Sequence, residues 1–200
     1  MAVLFYIILM TLLAVFGPLI RPDKTKDANR QILEIARQKP GFKCQLLQVH
    51  HNRIVEQPPM HKRLFFGGTQ IEYAEKAIYN YEWQDEFLVI ELFNGQNEEE
   101  KGQVEKLHVA DILYPLDMNF KPFLDSNRNV HFKKIGHGIE TVPIQDLRAQ
   151  VLQDQFIART FFLGTDGNGR DMLSRLIGGT TVSLLVRFFA VLISLVIGIT

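Results

Sequence analysis

The residues best equipped for chemistry are six histidines (His50, His51, His61, His108, His131 and His137), one cysteine (Cys44), four serines and the acidic run Glu98-Glu99-Glu100. A zincin-type metal site needs two histidines four residues apart on a helix, usually with a glutamate between them. His50 and His51 are adjacent, which on a strand sends them to opposite faces, and no H-E-x-x-H is present. The histidines therefore read as solvated surface groups, and Glu98 to Glu100, ahead of Lys101-Gly102, as a solvated loop. Ser126, Ser174, Ser183 and Ser194 are the only serines, and none has the G-x-S-x-G setting of a nucleophile elbow. One thiol makes neither an internal disulfide nor a cysteine zinc site, and Cys44 falls in an apolar strand pattern that reads as inert. No catalytic constellation and no metal site is expected, and the chain does not read as an enzyme.

The densest stretch is Leu163-Gly164-Thr165-Asp166-Gly167-Asn168-Gly169-Arg170-Asp171. Its glycines invite a phosphate-binding reading, but each template fails. A P-loop wants Lys-Ser/Thr after its second glycine, where Arg170-Asp171 stands. A dinucleotide turn wants a third glycine, and a calcium loop counted from Asp166 wants glycine where Asp171 stands. What remains is a tight turn running into a helix near Arg170, with Asp166 or Asn168 as its cap. Met172, Leu173, Leu176 and Ile177 then form one apolar stripe. Gly178-Gly179 is expected to end this short helix, leaving it at the membrane interface.

These residues must be positioned by very uneven surroundings. Averages look soluble: 46% hydrophobic, 22% charged, 22 basic against 22 acidic residues, and mean hydropathy +0.01. Zero formal charge leaves no electrostatic footprint for nucleic acid. Yet residues 2–20 carry no charge, and 19 residues of helix span ~28 Å, close to a bilayer core. A cleaved signal peptide fits poorly, because no basic residue precedes the run and no A-x-A-like site follows it. Gly17-Pro18 should loosen or stop this helix. Residues 180–200 are equally apolar with one charge, Arg187, read as an anchor that snorkels to the interface near the segment's start. The pattern stops mid-helix at Thr200, as expected of part of a longer protein.

Between the ends the composition turns polar. Residues 23–39 read as a short amphipathic helix ended by Pro40-Gly41. Strands are expected at Phe42–Val49, Phe87–Phe93, Val104–Val109 and Val130–Ile135, with Asn94-Gly95 as a hairpin signal and 71–82 readable as helix or strand. Arg21, Lys24, Lys26 and Arg30 follow the first helix, so the positive-inside rule votes weakly for a cytoplasmic middle region; the rule fades in loops longer than ~60 residues.

The stretch FLGTDGNGRDMLSRLIGGTTVSLLVRFFAVLISLVIG (162–198) resembles the pattern LGTD-x-x-G-R-D-x-L-S-R-L-I at the second membrane helix of one permease family. LLAVFGPLIRPD (12–23) resembles the same family's first helix. The family is the C-type inner-membrane subunit of the dipeptide/oligopeptide/nickel class of bacterial ABC importers, and the match covers about a third of the chain. The matching motif residues are Leu163, Gly164, Thr165, Asp166, Gly169, Arg170, Asp171, Leu173, Ser174 and Arg175, expected to act as a structural re-entry turn and helix.

The resemblance implies an all-α transmembrane permease fragment with two membrane helices and a small inserted α+β extramembrane domain. It divides the chain into a first transmembrane helix (2–20), a periplasmic inserted region (21–160, with a small domain about 40–150), a re-entry turn and interfacial helix (161–179) and the start of a second transmembrane helix (180–200). It implies a second permease subunit, cytoplasmic ABC ATPase subunits that use the ATP, an extracytoplasmic substrate-binding protein, and no cofactor bound by this subunit. It places the multi-pass protein in the bacterial inner membrane and overrules the charge vote. The insertion is far longer than is common in the family, and Arg187 stands where an apolar or small residue is usual. The contrasting reading is a membrane-anchored interaction protein whose 40–150 module binds a partner.

Overall fold

The computed structural model describes residues 2–25, 28–57, 59, 69–95 and 102–199. The elements run in the order α1 (Ala2–Ile20), β1 (Phe42–His50), β2 (Tyr73–Gln84), β3 (Phe87–Leu92), β4 (Val104–His108), α2 (Val109–Leu113), β5 (Phe123–Leu124), β6 (Asn129–Lys133), β7 (Ile139–Pro143), α3 (Ile144–Gln150), β8 (Phe156–Phe161) and α4 (Met172–Ile199). A π-helical turn, Val151–Gln155, joins α3 to β8.

The all-α expectation is overturned. The chain is α+β, with a five-stranded antiparallel sheet ordered β4-β3-β2-β1-β8 and a three-stranded antiparallel sheet ordered β5-β6-β7. The two-span expectation is also corrected. Among the described residues one helix, α4, is long and apolar enough to cross a membrane, and the shorter apolar stretch within α1 is Leu4–Ala14.

Both faces of the large sheet are covered, which explains why Leu46 and Leu47, adjacent on β1, are both fully buried. Leu47, Leu88 and Ile90 face the main core with Val109 and Ile112 of α2, Ile144 and Leu147 of α3, and Val130 and Phe132 of the small sheet. Leu46, Ala77 and Phe161 face the opposite way, against Ile32 and Ile35. The four strands expected from alternation appear at β1, β3, β4 and β6. The ambiguous 71–82 stretch is strand β2, which pairs with β1 on one side and β3 on the other. The two-residue hairpin turn is Asp85-Glu86, with Asp85 at φ 49°, and Gln84 faces Phe87 across it. Asn94-Gly95 follows β3 as expected, with Gly95 at φ 69°.

Among the described residues of 23–39 the expected amphipathic α-helix does not form; Ala28 and Leu33–Ile35 are in 3₁₀ conformation. The reason is tertiary: the backbone of this strap is bonded to Thr165 and Asp166, and Arg37 N–H donates to Asp166 O at 2.9 Å while Gln38 O accepts from Thr165 N–H at 3.1 Å.

Nor does Gly17-Pro18 stop α1, which continues to Ile20. Proline has no N–H to give the carbonyl four residues back, at Ala14. The Thr181 hydroxyl of α4 donates to that carbonyl at 2.9 Å instead. Gly17 allows the approach, since a Cβ there would lie 2.7 Å from Ile177 Cγ2. Gly178-Gly179 does not end a separate interfacial helix either. α4 runs unbroken from Met172 to Ile199, because two glycines cost about 1 kcal/mol each and 28 residues of helix absorb that.

Candidate functional site at the elbow between domain and apolar helix

The motif residues form the elbow that carries the chain from β8 into α4. Gly164 and Gly169 take φ 73° and 70°, open to glycine and strained for other residues. Space imposes the same choice: a Cβ on Gly164 would fall 2.2 Å from Gln38 O, and one on Gly169 only 1.7 Å from Ile32 O. The glycines let the elbow lie backbone-to-backbone on the strap; they do not cradle a phosphate.

Each polar motif side chain is occupied. Asp166 Oδ1 accepts from the Asn168 and Arg170 backbone N–H groups at 2.9 and 3.0 Å, and its Oδ2 accepts from Arg170 Nε at 2.8 Å and from Arg175. Partial burial alone would raise the Asp166 carboxyl, but these hydrogen bonds and the Arg170 charge hold it below the usual carboxylate range. Arg170 Nη1 also donates to Asn29 Oδ1 at 3.0 Å. Thr165 is buried, donating from its hydroxyl to Ile35 O and accepting there from Gln38 N–H at 2.9 Å.

The helix cap differs from expectation. Asp166 organises the turn, whereas Asp171 caps α4: its Oδ2 accepts from Ser174 N–H at 3.0 Å and from the Ser174 hydroxyl. Ser174, fully buried, accepts in turn from Asp23 N–H at 2.8 Å, so the exit of α1 is tied to the entry of α4. Leu173 is half-buried and Leu163 is exposed.

A second cluster lies under the strap, and the sequence reading missed it. Glu75 of β2 has a fully buried side chain between Arg30 of the strap and Arg159 of β8. Arg159 Nη2 donates to Glu75 Oε1 at 2.8 Å and Gln48 Nε2 donates to the same oxygen at 3.0 Å. Burial pushes the Glu75 carboxyl up, but the Arg159 hydrogen bonds, the Arg30 charge and Gln48 outweigh it and leave it below its ordinary value. Only a charged residue breaking the apolar alternation of β2 signalled it. Cluster and elbow meet at Asp23, whose carboxylate accepts from Thr25 and Arg30 N–H groups at 2.9 and 3.0 Å.

His108 is not the solvated group expected: it is buried, and its Nδ1 accepts from Ala110 N–H at 3.1 Å, capping α2. Burial lowers its pKa. His131 sits between the Asp125 carboxylate at 3.2 Å and the Thr141 hydroxyl at 2.9 Å. His50 and His51 are half-buried, and burial lowers the pKa of both. His61 and Glu98 to Glu100 lie outside the described residues. Burial pushes the Cys44 thiol up to about 11, which keeps it in its unreactive form. Among the described residues no three His, Cys, Asp or Glu side chains are grouped to hold a metal ion.

Arg187 lies within α4, exposed on its surface, with no ion pair to any described residue. An arginine at the centre of a spanning helix costs about 2.5–3.5 kcal/mol on insertion scales.

Comparison with protein-family models, with curated proteins and with solved structures gives no match for this chain.

Proposed function

We propose that this chain is part of an inner-membrane permease subunit of an ABC importer for peptides or related small solutes, with its α+β domain on the periplasmic side. The observation that carries this reading is the elbow. The residues on which the family resemblance rests, from Gly164 to Ser174, are the ones that cap the apolar helix α4 and fasten it to the folded domain. A motif serving this purpose is under strict geometric demand, because two of its glycines admit no Cβ and Asp166 fills both of its carboxylate oxygens. In this reading the elbow fixes the angle at which the chain enters the bilayer. The domain stands where an extracytoplasmic binding protein would dock. A second permease subunit and two cytoplasmic ATPases complete the machine and supply the chemistry of ATP.

The test is affinity purification of the full-length protein from detergent-solubilised membranes, paired with uptake of a labelled peptide in a deletion strain. Co-purification of ATP-binding subunits with loss of uptake supports the proposal. Purification without any such subunit, and with uptake intact, overturns it in favour of a tethered interaction module.

A further inference from the structure

α1 and α4 touch closely at the domain end, through Gly17 against Ile177 and Ala14 against Thr181. Beside this contact runs an open groove of about 550 Å³, lined by Tyr6, Met10 and Thr11 of α1 and Gly179, Ser183 and Arg187 of α4. Arg175 also borders this groove, but its guanidinium is engaged by Asp166. Arg187 therefore brings the one cation in the groove that no described residue neutralises.

Its depth limits what could neutralise it. The apolar part of α4 starts at Leu176, and at ~1.5 Å per residue Arg187 is about 17 Å along the helix from there. The half-thickness of a bilayer core is ~15 Å, so with Leu176 at the interface Arg187 lies at the depth of the midplane, farther from that phosphate layer than an arginine side chain extends. Gly179 has open space where a Cβ would be. The Thr11 and Thr180 hydroxyls are turned back onto Ile7 O and Leu176 O at 2.8 and 3.1 Å, so they leave the Arg187 charge uncompensated.

We propose that the groove between α1 and α4 receives a further membrane-spanning helix carrying an Asp or Glu side chain, which pairs with Arg187 at the midplane. Charge complementarity selects the occupant: ionisable groups inside a membrane pair with one another, and the small residue Gly179 lets a helix come close enough to do so. The inference requires that α4 crosses a bilayer with α1 lying against it inside the apolar layer, and does not rest on the permease assignment.

The experiment places a photoreactive benzoylphenylalanine at Ser183, inside the groove, or at Val191, outside it, in the full-length protein in native membranes, and identifies the adducts by mass spectrometry. The Ser183 probe is expected to mark an apolar protein segment containing Asp or Glu, and the Val191 probe to mark lipid. Arg187→Glu should reduce the Ser183 adduct at least tenfold, Arg187→Lys should retain most of it, and a compensating Lys at the acidic position should restore it in the Arg187→Glu background. Labelling of lipid alone at Ser183, a marked helix without an acid, or an adduct indifferent to Arg187→Glu each overturns the inference. Failure of the ATPase co-purification would leave these outcomes unaffected.

Discussion

At the scale of single residues the elbow is governed by what will not fit. Gly169→Ala puts a Cβ into the Ile32 carbonyl and strains a left-handed backbone, and is expected to destabilise the domain by about 3 kcal/mol. Gly167→Ala, whose Cβ meets nothing within 4 Å, should shift thermal unfolding far less. Comparing the two melting curves in detergent separates close approach from mere glycine content. Glu75 answers to pH. Its carboxyl is held below its ordinary value, so its contribution is complete above the unfolded carboxylate range near pH ~4.3 and is lost as pH falls through the depressed native value. Glu75→Gln should therefore cost about 2–3 kcal/mol at neutral pH, a buried pair broken between two arginines that each keep about a fifth of their surface exposed. It should also flatten the acid limb of a denaturant-derived stability curve; an unchanged limb would assign acid unfolding to other carboxylates. None of this was written in the local sequence, since Arg30, Glu75 and Arg159 come from three separate elements. Asp166 and the two glycines were conspicuous because a tight turn restricts residue type by itself.

At the scale of elements, alternation was enough wherever a strand had one uniform buried face, as in β3, whose residues switch between half-buried and buried at every step. Where a neighbour took over the backbone, local pattern misled. The strap has the spacing of an amphipathic helix, yet its amides and carbonyls are bonded to the elbow, and the apolar spacing of Ile32 and Ile35 serves to cover Leu46 and Phe161. Two expectations follow for α4. Asp171→Ala should cost about 1 kcal/mol and raise hydrogen exchange at Ser174 and its neighbours without altering exchange in β1. Gly17→Leu should wedge α1 from α4. With Cys44 replaced by serine, a disulfide between Ala14→Cys and Thr181→Cys should form readily in the otherwise native protein and several-fold less in the Gly17→Leu protein.

At the scale of the whole molecule, the apolar ends and polar middle were visible at once, and so was the presence of a folded domain between them. Its extent was not. The span 40–150 omits β8, which pairs with β1 along Phe42 to Leu47, and omits the strap that buries the other face of the sheet. A fragment of residues 22–171 should therefore give dispersed amide resonances and a cooperative melt, whereas 40–150 should give neither; a well-folded 40–150 fragment would show that the main core alone suffices. The same pairing sets a timetable for biogenesis. β1 lies inside the finished sheet, but one of its neighbours, β8, leaves the ribosome about 110 residues later, which at ~5–20 residues per second is roughly 6–20 s. Throughout that interval the nascent chain offers a bare strand rim to any other polypeptide. Quality control of this protein thus falls on the seconds of its synthesis, when a holdase guarding that rim would matter more than any later unfolding.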